Sequence, residues 1–295
     1  MNILYSLRKA ATLIIAACFA FSVAEAGEKP EIDVANLKFD HVLNLGMKAR
    51  PATIQDNEGY MWFGGQGEGL FRYDGYELKK YGVGPGSMAN GTINRLIIDR
   101  EDPDIFWIAS RGGFHRFNKA SETFTVYLHD PSDITSLGND AAFDVIQDGR
   151  YSNIFWIGTG NGLNKFNAGD KKFTRYEPDP DNPDTVNFPE VWRFIEDRRD
   201  PNVLWIATYG GGLDKFEKDS ETFTHFVNDP DDSASIAGDV IKHVLQDREN
   251  PDILWLVIGK GKGLDKFDTR TGKFTHFRHN PDDPASLQTD VLSIC

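Results

Sequence analysis

At 295 residues, with 40% hydrophobic and 12% aromatic content, the chain carries enough apolar material for one large or two ordinary domains. Its formal charge of −13 leaves no electrostatic footprint for nucleic acid and disfavours anionic membrane surfaces. Twenty-eight glycines, plentiful aromatics and no long helical pattern point to an all-β chain whose acidity keeps it solvated.

Residues 1–26 read as a secretory signal peptide. Arg8 and Lys9 precede an apolar run from Ala10 to Val23, and Ala24-Glu25-Ala26 offers a small-x-small cleavage site. Ile15-Ala16-Ala17-Cys18 also resembles a lipoprotein cleavage box, but the apolar run continues past Cys18, which favours cleavage after Ala26. Contact with a membrane is expected only through a lipid on Cys18 or through parts beyond the end of this chain. With Cys18 in the leader and Cys295 at the end, no disulfide framework is expected.

From residue 36 onward the chain repeats. Trp62, Trp107, Trp156, Trp205 and Trp255 lie 45, 49, 49 and 50 residues apart, and Phe124, Phe173, Phe223 and Phe274 lie 49, 50 and 51 apart. Around each tryptophan, period-two patterns flank a glycine turn, as in Leu204 to Phe216 (LWIATYGGGLDKF). A period of 40 to 50 residues with several short strands per unit indicates a β-propeller of four-stranded antiparallel blades. The blades are expected at about 50–81, 92–127, 141–177, 190–227 and 240–278, with a sixth beginning at 290. In the fourth, strands are expected at 191–196, 204–208, 213–217 and 222–227. Tryptophan should fill the wedge between neighbouring sheets. Phe216 and Phe223 should point inward from the outer strands. Asp99, Asp148, Asp197 and Asp247 should accept backbone N–H bonds in the turns they open.

Trp156-Ile157-Gly158-Thr159 with Gly162-Leu163-Asn164-Lys165-Phe166, and Trp205-Ile206-Ala207-Thr208 with Gly212-Leu213-Asp214-Lys215-Phe216, resemble the two-component regulator propeller repeat. The opening unit, Asp56-Asn57-Glu58-Gly59 through Tyr76, resembles that family's first blade. Ser110, Phe114 and Val257-Ile258 depart from the pattern. The resemblance covers about residues 36–295 and implies the periplasmic sensor region of a bacterial hybrid histidine kinase or related receptor. It implies a seven-bladed ring in the family, so this chain reads as an amino-terminal portion, with an output domain beyond its end. Residues 36–42 would then supply the strand that seals the ring. Whether the longer receptor dimerises stays open.

Chemistry is hard to place. No phosphate loop, G-x-S-x-G, H-E-x-x-H or dinucleotide fingerprint occurs, so no catalytic residue and no cofactor are expected. Acidic segments such as Asp229-Pro230-Asp231-Asp232 lack the spaced ligands of a calcium loop, so no metal is expected, and His225 and His276 read as a repeated packing or surface position. A ligand site is expected over the central channel, where residues differ from blade to blade. In the turns between second and third strands these are Gln66, Arg111, Asn161, Tyr209 and Lys260; the first strands begin with Asn94-Arg95, Phe143-Asp144, Trp192-Arg193 and Lys242-His243, of which Arg95, Trp192, Arg193 and His243 are the expected ligand residues. Such a mixture suits a small polar or carbohydrate ligand, by stacking and bidentate hydrogen bonding, or equally a plug of the channel. Three readings follow: an extracytoplasmic sensor, a secreted or lipid-anchored interaction scaffold, and a propeller lyase or glycosidase.

Overall fold

The structure, a computed structural model, describes residues 49–291 except 83, 85 and 89. The leader, Cys18, Cys295, the segment 36–42 and all but the first residues of the expected sixth strand lie outside the described residues.

Five four-stranded antiparallel sheets form the blades of a β-propeller, each with its strands in sequence order. The first blade holds β1 (Ala49–Gln55), β2 (Met61–Gly65), β3 (Leu70–Tyr73) and β4 (Leu78–Tyr81). The second holds β5 (Ile93–Ile98), β6 (Ile105–Ser110), β7 (Gly113–Asn118) and β8 (Thr123–Tyr127). The third holds β9 (Ala142–Gln147), β10 (Ile154–Thr159), β11 (Gly162–Asn167) and β12 (Lys172–Tyr176). The fourth holds β13 (Val191–Glu196), β14 (Val203–Thr208), β15 (Leu213–Glu217) and β16 (Thr222–Phe226). The fifth holds β17 (Ile241–Gln246), β18 (Ile253–Ile258), β19 (Leu264–Asp268) and β20 (Lys273–Phe277). In the fourth blade the expected boundaries hold to within one residue. The first strands pack in series, β1 on β5, β5 on β9, β9 on β13 and β13 on β17, which makes them the innermost.

The second strands of the middle blades are buried along their whole length: IFWIAS, IFWIGT and VLWIAT show no exposed position. A strand with a sheet against each face needs apolar residues on both, so it reads as a continuous run. Each wedge is filled by tryptophan, as expected. Trp62 meets Phe106 of the next blade edge-on at 4.8 Å between ring centroids, and Trp107 meets Phe155 at 4.4 Å. Trp156 meets Phe216 at 5.5 Å and Trp205 meets Phe267 at 5.7 Å. Phe216 and Phe223 lie 4.6 Å apart and are both buried.

The glycine that opens each third strand is held at positive φ, 86° at Gly162 and 80° at Gly212. A Cβ there would meet the fourth strand's carbonyl oxygen, Tyr176 O at 2.1 Å or Phe226 O at 2.2 Å. Both the backbone angle and the close approach require glycine.

The turn aspartates do more than cap. Asp99, Asp148, Asp197 and Asp247 accept the expected backbone bonds through Oδ1, while Oδ2 takes the indole Nε1–H of Trp107, Trp156, Trp205 and Trp255 at 2.7, 2.8, 2.9 and 2.9 Å. Asp56 and Trp62 do the same at 2.8 Å. Burial works against the ionised form of Asp197, but the Trp205 indole and the backbone N–H groups of Arg199 and Asp200 outweigh it and hold its pKa below the ordinary value. Asp148 and Asp247 shift the same way, burial again being outweighed by hydrogen bonds and, for Asp148, by Lys218.

A second repeated device pins the links between blades. On the third strands Asn164, Asp214 and Asp265 are fully buried, and their side-chain oxygens accept the backbone N–H of Gly138, Asn187 and Ala237 in the link preceding the same blade. On the fourth strands His225 and His276 bridge that carboxylate to a carbonyl of the link. His225 reaches Asp214 Oδ1 at 2.7 Å and Pro183 O at 2.8 Å; His276 reaches Asp265 Oδ1 at 2.8 Å and Ser233 O at 3.0 Å. Arg175 takes this place in the third blade and donates to the carbonyls of Asp133 and Ser136. The repeated histidine is therefore a packing position that clasps the links. Both ring nitrogens of His225 face acceptors, and the bond to Asp214 raises its pKa above the ordinary value. Burial holds the Asp214 carboxyl above its ordinary value, the bonds from His225 and the Asn187 N–H opposing that only in part.

Two outcomes are expected. Asp197→Ala, which orphans an indole N–H and two backbone N–H groups, should lower stability by about 2 kcal/mol in urea unfolding, and Asp197→Asn by less. Because the folded pKa values of Asp148, Asp197 and Asp247 are depressed, their contribution is present above the unfolded carboxylate range and is lost as pH falls through the folded values, which an acid-unfolding series would show.

Candidate site at the channel mouth

The first strands share an irregularity that composes this site. In β5, β9, β13 and β17 the register with the second strand slips between the first and third positions, so it skips Asn94, Phe143, Trp192 and Lys242 at β-bulges. A bulge re-aims a side chain out of the strand's regular alternation. The next position of each strand carries Arg95, Asp144, Arg193 and His243.

These residues meet across blades. Arg95 Nε lies 3.4 Å from Asp144 Oδ1, and Asp144 Oδ2 accepts the Phe194 N–H at 3.3 Å. The Arg193 guanidinium donates to the carbonyls of Phe143 and Trp192, each at 2.9 Å, and Asn94 Nδ2 donates to Ala142 O at 2.7 Å. Burial pushes His243 down to about 4, with the charges of Arg193 and then Arg95 acting in the same direction, so its imidazole is neutral at pH 7. Above this ring of charge, Trp192 and Tyr209 stack at 4.0 Å and 16°, and Phe143 lies 6.0 Å from Trp192. Glu190 accepts the Trp192 indole N–H at 3.1 Å. The Phe188 ring lies against Gly210, where a Cβ would come within 2.7 Å of it, so the glycine makes room for a further aromatic.

Five expected residues, Arg95, Trp192, Arg193, His243 and Tyr209, are thus brought together. Gln66, Arg111 and Lys260 are exposed turn residues, and Asn161 is half-buried, its N–H bonded to Thr159 Oγ1 at 3.1 Å. No contact links these four to the cluster among the described residues. Lys260 has a φ of 56°, so turn stereochemistry accounts for its departure from the repeat. Phe143 and Asp144, the first-strand pair equivalent to Trp192-Arg193, belong to the cluster, as does Glu190, which the sequence pattern does not mark. No group of three His, Cys, Asp or Glu side chains able to hold a metal occurs among the described residues.

No family model and no curated protein matches the chain. Its fold resembles the extracellular domain of a B. thetaiotaomicron protein assigned as hybrid two component system BT3049, with a TM-score of 0.64 at 23% identity, over 76% of this chain and 29% of that one. It also resembles the corresponding domain of BT4673 from the same organism, with 0.53 at 20% identity, over 84% and 36%. The β-propeller domain of Myceliophteria thermophila Cps50 (Swd1) matches with 0.54 at 10% identity, over 78% and 73%. At these identities the likeness shows the fold. The chain spans about a third of the length of the two bacterial structures.

The ring of charge sets one expectation. In an NMR titration the His243 imidazole should titrate near 4 and move up in Arg193→Gln, as the nearby charge is removed.

Proposed function

We propose that this chain is the extracytoplasmic ligand-sensing propeller portion of a bacterial transmembrane signalling protein, exported to the periplasm. Its ligand on this reading is a small polar or carbohydrate molecule bound at the channel mouth. The observation that carries the proposal is the Trp192–Tyr209 stack beside Arg193, with Arg95 paired to Asp144 and both guanidinium charges acting on His243. A flat aromatic pair beside fixed donors and acceptors is how proteins hold a sugar ring: apolar C–H faces on the rings, hydroxyls on the polar groups. The likeness to extracellular domains assigned to two-component systems supports the sensor role, and the signal-like leader supports export. The lyase or glycosidase reading has no specific observation in its favour: Asp144 is engaged by Arg95 and backbone N–H groups, and Glu190 by the Trp192 indole.

A thermal-shift and tryptophan-fluorescence screen of neutral and acidic oligosaccharides on the 295-residue chain tests this. A responding sugar should bind at least about tenfold more weakly to Trp192→Ala and Arg193→Gln, each loss corresponding to roughly 1.4 kcal/mol or more. A response identical in both variants would remove the site.

A further inference from the structure

A cavity of about 430 Å³ opens at the opposite ends of the strands, between the third and fourth blades. Its wall is formed by the β9–β10 turn, which carries Asp148, Arg150, Tyr151 and Asn153, by Trp156 and Lys165 from the blade, and by Lys218 and Asp219 from the next blade.

The charges of this cleft do not close. Lys218 is buried and saturated: its ammonium bonds Asp148 Oδ2 at 2.6 Å, Pro201 O at 2.7 Å and Glu196 Oε2. Arg150 uses one terminal nitrogen on Asp219 at 2.8 Å, while its Nε is buried without a partner among the described residues. Lys165 Nζ lies 5.7 Å from the Trp156 ring centroid, and no acid pairs with it among the described residues. The equivalent Lys215 of the fourth blade is neutralised by Glu217 at 2.6 Å; the third blade has Asn167 in that place. Asn167 Oδ1 accepts the Gly169 N–H and the Asn153 amide, which fixes Asn153 as donor there and leaves its oxygen open. The Tyr151 ring is 56% exposed at the rim.

We infer that this cleft binds a small hydroxylated oxyanion, a sugar acid or sugar phosphate. The anionic group would take the two unmatched donors, Lys165 Nζ and Arg150 Nε, and hydroxyls would take the Asn153 oxygen. An unneutralised cation beside an unpaired N–H favours an oxyanion, whose charge-assisted hydrogen bonds are about twice as strong as those of a neutral acceptor. The volume lies within the range of small-molecule pockets. The inference is independent of the channel-mouth proposal: the two share no residue.

The test is calorimetry of the 295-residue chain with glucuronate, glucose 6-phosphate and glucose at low salt, with Trp156 fluorescence as a second readout. Either oxyanion should bind while glucose does not, and the preferred one tells carboxylate from phosphate. Lys165→Met, which keeps an apolar stem over Trp156, should weaken binding at least about tenfold, and Arg150→Gln similarly. Lys215→Met should change nothing, and all three variants should melt near the parent. Glucose binding as tightly as the anions, no binding of either anion up to about 10 mM, or full affinity in both Lys165→Met and Arg150→Gln would overturn it.

Discussion

The fold depends on one contact made five times: an indole N–H donated to a carboxylate that has just turned the chain. In Asp197 the two oxygens divide the labour, Oδ1 closing the turn and Oδ2 fixing the Trp205 ring. A tryptophan in a wedge between two sheets could slide along it, since dispersion has little direction. The bond to the aspartate gives it direction, so the ring presents the same face to the next blade's phenylalanine each time. Local turn chemistry is thereby coupled to the angle between blades, which is the quantity a propeller must hold constant. In two clefts a lysine from the next blade adds to the same carboxylate: Lys218 bonds Asp148, and Lys119 lies 3.5 Å from Asp56.

Much of this was legible before any coordinates. Tryptophans at nearly equal spacing, a glycine four to seven residues after each, and Phe-Thr pairs at the same period leave little choice of architecture. The strands of the fourth blade could be placed within a residue because turns of Asp, Pro and Gly bound them on every side. The indole–aspartate bond was half visible: the aspartates were read as turn caps, correctly, but a side chain has two acceptors, and only the second oxygen's partner is non-local. His225 and His276 read as a repeated packing or surface position, and what they pack on stays out of view for a related reason. Their partners, Pro183 and Ser233, lie 42 and 43 residues earlier, in links whose path a repeat pattern does not reveal.

The candidate sites were legible in a graded way. Residues that differ at a repeated position mark where packing does not dictate identity, and five of nine such residues converge. The four that do not converge, Gln66, Arg111, Asn161 and Lys260, differ because turns tolerate difference; variability cannot by itself separate a binding position from an unconstrained one. The bulges escaped notice altogether, since a bulge is a property of pairing between two strands. The cleft beside Trp156 was equally invisible, because it rests on what Asn167 lacks in comparison with Glu217.

The bulges explain why variety gathers on the innermost strands. A residue in the second or third strand is packed between two blades, and almost any change there disturbs the wedge. Asn94, Phe143, Trp192 and Lys242 are released from the ladder and face the axis, so a polar amide, two aromatics and an ammonium occupy one structural position in four successive blades. The neighbouring Arg95, Asp144, Arg193 and His243 keep their pairing and supply two guanidinium groups, a carboxylate and a neutral imidazole. The blade thus separates its duties along one strand: the carboxyl-terminal end anchors the tryptophan through its aspartate, and the amino-terminal end is free to carry recognition. The cleft at the opposite ends uses a smaller freedom, the last residue of the third strand, where Asn167 in place of a carboxylate leaves Lys165 without the counter-ion that Glu217 gives Lys215.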